Sequence, residues 1–139
     1  MKRLAIPTLL VLVVLASSGA VAGPAVAPSA ATLTAAQLKT MSLEQMQAKG
    51  EEMVAETRVI ASKVLDALSA AQKEKDFQRL NCIGDVMTTV KGLVRLSEQN
   101  GLSLRERVIA KDRAAAEHEF IKISISRNKA IDMQAQAKG

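Results

Sequence analysis

Residues 43–73 read LEQMQAKGEEMVAETRVIASKVLDALSAAQK, and their apolar positions step by three and four. Leu43, Met46, Met53, Ile60, Val64 and Ala67 fall on one heptad stripe, with Gly50 and Thr57 in its two remaining places. Val54, Ala61, Leu65 and Leu68 widen that stripe. The pattern predicts an amphipathic helix over 43–73, roughly 45 Å long at 1.5 Å per residue.

Downstream, Lys73-Glu74-Lys75-Asp76 is a charged break, and Asp76 is placed to cap a second helix. That helix is expected over about 76–99. Leu80, Ile83, Met87, Val90 and Val94 form one stripe on it, and Cys82, Val86, Leu93 and Leu96 form a neighbouring one. So wide an apolar arc suits a middle helix packed on two sides. Gly84 and Gly92 each cost about 1 kcal/mol against Ala in a helix. Asn100-Gly101 offers a left-handed stop.

A third helix is expected over 104–137, opened by the capping box Ser103…Glu106. Leu104, Val108, Ala115 and the Phe120/Ile121 region give its apolar stripe. Within it, Phe120-Ile-Lys-Ile-Ser-Ile-Ser126 alternates like a strand, with Ile121, Ile123 and Ile125 on one side. The helical reading puts Ile121, Ile125, Asn128 and Ile131 in register. No Gly or Pro separates this segment from its helix-forming flanks, and a lone strand has no partner in the chain, so helix is the expectation. The strand reading gains if the protein assembles through a sheet. The fold class is therefore all-α, with three long antiparallel helices.

Upstream, two more capping boxes stand at Thr34…Gln37 and Ser42…Gln45, each with an apolar staple. They bracket a short turn before the first long helix. Residues 23–32 (GPAVAPSAAT) read as a flexible or polyproline-like leader. Residues 1–22 read as a secretory signal peptide. Lys2 and Arg3 form the basic region, Leu4–Ala16 the apolar core, and Ala20-Val21-Ala22 the small residues of a cleavage site before Gly23. A retained membrane helix needs about 20 apolar residues, and Pro7 and Ser17-Ser18-Gly19 shorten this run. The expected organisation is thus signal 1–22, leader 23–32 and a helical bundle domain 33–139, in a periplasmic or secreted protein.

Cleavage after Ala22 leaves 117 of the 139 residues, enough for one small domain with a modest core. It also lowers the net charge from +5 to +3. So small a charge on an exported chain argues against a nucleic-acid partner. Membrane contact is expected only through an uncleaved signal or weak surface attraction. Phe77 and Phe120 are the only aromatic residues, which speaks against sugar-stacking and single-strand-binding platforms.

No catalytic, cofactor or metal signature stands out. Cys82 is the single cysteine. It reads as a small buried hydrophobe, as half of a disulfide to a partner outside this chain, or, last, as a reactive thiol. His118, between Glu117 and Glu119, reads as a solvated helix-face residue, because zinc needs three or four ligands. No serine sits in a nucleophile-elbow context. Met41, Met46, Met53, Met87 and Met133 are too widely spaced for a compact copper site and read as core or as an adaptable binding surface. Glu51, Glu52 and Glu56 form an acidic face. Arg105, Arg107, Lys111 and Arg113 form a basic one, the better candidate for binding an acidic partner.

Leu33-Thr34-Ala35-Ala36-Gln37 resembles the LTxxQ motif of the Spy/CpxP periplasmic chaperones. The resemblance implies a helical cradle that shields unfolded clients. It spans five residues, and the stretch at Leu102 does not repeat the motif as those families do. Leu80-Asn81-Cys82-Ile83, Val90-Lys91-Gly92-Leu93 and Leu96-Ser97-Glu98-Gln99 are similar to short signal-bearing bacterial helical proteins of unassigned function, over about 55–139. That likeness implies a second cysteine just past the third helix, where this chain reads Lys138-Gly139, and it implies no activity. The expected role is a non-enzymatic exported protein acting on an unknown protein partner, or a homo-oligomeric envelope component. The alternative is a Spy-like chaperone.

Overall fold

The computed structural model describes residues 35–138. They form α1 (Ala35–Thr40), α2 (Leu43–Glu74), α3 (Phe77–Ile109) and α4 (Arg113–Lys138). The chain is all-α. The three long helices pack against one another as an antiparallel bundle, and α1 folds over one end. The signal peptide, the leader and the Thr34 cap fall outside the described residues.

The first long helix follows its heptad stripe. Met46, Gly50, Met53, Thr57, Ile60 and Val64 are all buried. Ser42 caps it in a complete box: its Oγ accepts from the Gln45 amide at 3.1 Å, and its own amide donates to Gln45 Oε1 at 2.8 Å. Leu65, expected to widen the stripe, is exposed instead.

The two tight turns are built alike. Lys75 and Lys111 take left-handed backbone angles, with φ of 56° and 54°. Behind each, two backrunning bonds close the preceding helix: Asp76 N–H to Ala71 O and Lys75 N–H to Gln72 O, then Asp112 N–H to Arg107 O and Lys111 N–H to Val108 O. This is the Schellman arrangement with lysine where glycine is usual, at a cost of about 1 kcal/mol. The following aspartate then caps the next helix. Asp76 Oδ1 accepts from the Arg79 amide at 3.0 Å, and Asp112 Oδ1 from the Ala115 amide at 3.1 Å.

The expected stop at Asn100-Gly101 does not occur. α3 runs on to Ile109, Gly101 has no positive φ, and the Ser103…Glu106 box lies inside the helix. The reason is register. Ile83, Met87, Val90, Ser97, Gly101 and Leu104 continue one heptad without a break. Continuing the helix buries Leu104 completely, a gain of about 2 kcal/mol that outweighs the poor propensity of Asn and Gly. Gly101 also gains a purpose, because a Cβ there would stand 3.2 Å from Val54 Cγ2. The third long helix therefore begins at Arg113 rather than at 104.

Residues 120–126 are helical, so the strand alternative is overturned. The face also differs from expectation. Ala116, Phe120, Ile123, Ser126, Ala130, Met133 and Ala137 turn inward, while Ile121 and Ile125 are 44% and 63% exposed.

The interior is two apolar clusters. One, at the α1 end, gathers Leu38, Met46, Met53, Val54, Leu104, Ala116, Phe120 and Ile123. The other, toward the α2–α3 turn, gathers Ile60, Val64, Ala71, Ile83, Val86, Met87, Val90, Ala130, Met133 and Ala137. The only buried polar residues among those described are Thr57, Ser97 and Ser126, one from each long helix.

Candidate functional site: the helix faces and their grooves

The basic face divides on inspection. Arg105 Nη2 donates to Glu51 Oε1 at 2.9 Å and ties α3 to α2. Arg113 pairs with Glu117 at 2.8 Å, one turn along α4. Its Nη2 also donates to the carbonyls of Leu38 and Lys39 at 3.1 and 3.0 Å, pinning the end of α1. These two arginines serve the fold. Arg107 and Lys111 are exposed and make no ion pair among the described residues.

The acidic face is consumed in the same way. Glu51 meets Arg105, Glu52 meets Lys49, and Glu56 accepts from Arg127 Nε at 2.6 Å. The Arg105 guanidinium, with help from Gln47, holds the Glu51 carboxyl below its ordinary value. The Glu44 carboxyl is lowered as well, chiefly by its own backbone amide, then by the Ser42 hydroxyl. Glu44 stands in the first turn of α2, where unpaired amides favour a negative charge.

Cys82 is exposed, which corrects the expectation of a buried thiol. Ile83 takes the core position, and Cys82, about 100° round the helix from it, falls outside the buried arc. Cys82 lines a groove of about 260 Å³ with Arg79 on its own helix and Gln136 and Ala137 on α4. The end of α4 and the cysteine are therefore neighbours.

His118 is exposed, and both flanking carboxylates are taken by cations, Glu117 by Arg113 and Glu119 by Lys122 at 2.9 Å. No group of three or more His, Cys, Asp or Glu among the described residues can hold a metal ion. The methionines are split between the clusters, Met46 and Met53 in one and Met87 and Met133 in the other, and act as core. No described helix is long and apolar enough to cross a membrane.

Two longer grooves flank α2. One, of about 500 Å³, runs between α2 and α3 under Leu102, rimmed by the Glu51–Arg105 pair and by Arg58–Glu98 at 2.8 Å. The other, of about 450 Å³, runs between α2 and α4 beside Val59 and Ile131, with Glu56 and Arg127 on its lining. Large apolar side chains stand in the open near both and beyond them: Val59 and Leu65 on α2, Phe77, Leu96, Leu102 and Ile109 on α3, Ile121 and Ile125 on α4.

The last pair is the feature that sequence reasoning placed on the wrong side. Ile121 and Ile125 are four residues apart, so they adjoin on the outer face of α4. The signal was present in the heptad of Ala116, Phe120 and Ile123, which fills the inner face without them. No known family model, curated protein or solved structure matches this chain.

Proposed function

We propose that this protein is an exported, non-enzymatic interaction protein that engages a protein partner through the outer face of α4. The observation that carries the reading is the exposed Ile121–Ile125 pair on a helix whose inward face is already filled. Two adjoining isoleucines left in water on an ordered helix are stabilised by a covering surface. Residues 1–22 supply the export signal in this reading, supported by Lys2, Arg3, the apolar run to Ala16, and Ala20-Val21-Ala22 before Gly23.

A test joins both parts. N-terminal sequencing of the protein from its native envelope should begin at Gly23. Crosslinking there should recover one stable partner, which the double variant Ile121→Lys, Ile125→Lys loses while its melting curve is unchanged. Retention of that partner by the double variant sinks the α4 assignment.

A second reading, a chaperone of the Spy/CpxP kind, is favoured by a different observation. The exposed apolar residues are spread over all three long helices rather than gathered in one place. Such a surface suits many weak contacts with unfolded clients. Suppression of aggregation of unrelated unfolded proteins at stoichiometric ratios supports it, and no suppression removes it.

A further inference from the structure

Thr57, Ser97 and Ser126 occupy matching places in the three helices. Thr57 lies between Met53 and Ile60, Ser97 between Val90 and Leu104, and Ser126 between Ile123 and Ala130. In each case one neighbour belongs to the α1-end cluster and the other to the turn-end cluster. The residues beside them are joined across the bundle, Arg58 to Glu98 and Glu56 to Arg127. The three hydroxyl residues thus form a polar layer between the clusters. Within it Ser97 is wholly buried and its Oγ has no hydrogen-bond partner, while Thr57 Oγ1 is satisfied by Met53 O at 2.8 Å. The unpartnered Ser97 hydroxyl is a buried cost at this layer, and the two ion pairs beside it stand at the partly exposed rim, where such pairs add little.

The glycines fall on either side of the layer in opposite roles. At Gly50 an added Cβ would stand 2.5 Å from Leu104 Cδ2, so the close packing of α2 and α3 depends on that glycine. At Gly84 and Gly92 nothing lies within 4 Å of an added Cβ. These two weaken α3 without any packing return.

We infer that the bundle opens in halves at the layer of Thr57, Ser97 and Ser126: the N-terminal half of α3, with Gly84 and Gly92, separates while the α1 end stays packed. Opening uncovers Ile83, Met87 and Val90, which the closed bundle buries. The gate is a property of the fold and does not depend on the α4 face binding a partner. Segments of a bundle that open below the global unfolding limit are recognised by their hydrogen exchange.

Native-state hydrogen exchange on the full chain tests the gate. Amides of 83–94 should exchange faster than those of 46–54 and 116–123, through an opening smaller than global unfolding. Ile123→Val, mild enough to keep the fold, should speed the second set about 5-fold and leave the first unchanged. Gly84→Ala with Gly92→Ala should slow the first set about 30-fold. A single common rate, or equal acceleration of both sets by Ile123→Val, overturns the two-part opening. No slowing by the alanine pair overturns the role given to the glycines.

Discussion

At the α1 end of the bundle, Phe120, Leu104 and Ile123 surround Gly50, α1 lies over them through Leu38, and Arg113 grips the last α1 carbonyls. At the other end the core includes Ala71, Ala130 and Ala137, and α3 carries two glycines with open space where a Cβ would stand. Ion pairs among the described residues run along the whole bundle. Four join two long helices: Arg105–Glu51 at the α1 end, Arg58–Glu98 and Arg127–Glu56 at the hydroxyl layer, and Arg79–Glu74 across the α2–α3 turn. One half thus packs a phenyl ring against a glycine, and the other has no aromatic residue in its core and sets three alanines among its aliphatic side chains. Length of helix is no guide to which half holds, because α2 and α3 run through both.

The largest test of this contrast is Phe120→Ala. Phe120 is the largest fully buried side chain, and its loss should cost about 3–5 kcal/mol in urea unfolding. If removing it costs no more than Ala130→Gly at the other end, the distinction in packing fails.

Next come the glycines, whose signs should differ. Gly50→Ala should destabilise by about 1–3 kcal/mol, since Leu104 is buried and its displaced methyl has nowhere to go. Gly84→Ala should stabilise by about 1 kcal/mol, because only helix propensity changes. Denaturant midpoints of the two single variants settle the matter, and equal signs would contradict the structure. Smaller again is Ser97→Ala. Deleting a buried hydroxyl that bonds nothing should raise stability by about 1 kcal/mol and narrow the difference in exchange between the halves. A loss of stability would mean that Ser97 has a partner.

Much of this was legible in the sequence, and the misses have a common cause. The 43–73 heptad, the Ser42 box and the Asp76 cap are local signals, and each forms as read. The Asn100-Gly101 stop was also a local signal, yet it yielded to the burial of Leu104, a contact with residues about 50 positions away in the chain. The cap at Asp112 repeats the Lys-Asp pair of the first turn, a sign that the false stop concealed. On α4 a strand-like alternation drew attention to Ile121 and Ile125, while small residues such as Ala116 and Ala130 took the core. Small buried residues give weak hydropathy signals, so the wrong face looked the more apolar. Cys82 read as core because adjacent residues can share a wide helix face, as the buried Val86 and Met87 do, yet Cys82 stands exposed beside the buried Ile83. The basic face failed differently: a run of cations in sequence does not tell which ones the fold will use, and Arg105 and Arg113 were used.

The smallest effect concerns acid. Glu51 joins α2 to α3 at the α1 end, and Arg105 first, then Gln47, lower its carboxyl below the ordinary carboxylate value. A carboxyl lowered by folding takes up its proton at a higher pH in the unfolded chain than in the folded one. The stability it adds is complete above the ordinary value of about 4.3 and drains away as pH falls through the lowered folded value. Acid should therefore slacken the α1 end through this pair and draw its exchange rates toward those of the other half. Glu51→Gln keeps the shape but removes the titration. It should melt slightly below the parent at neutral pH, with the gap closing on acidification, and both halves should then respond to acid more alike. The pair is exposed and salt-screened, so the effect should also shrink in high salt. Parallel melting curves for parent and variant from neutral to acid pH would show that the tie between Glu51 and Arg105 adds nothing to the tighter half, leaving its hold to Phe120, Leu104 and the glycine beneath them.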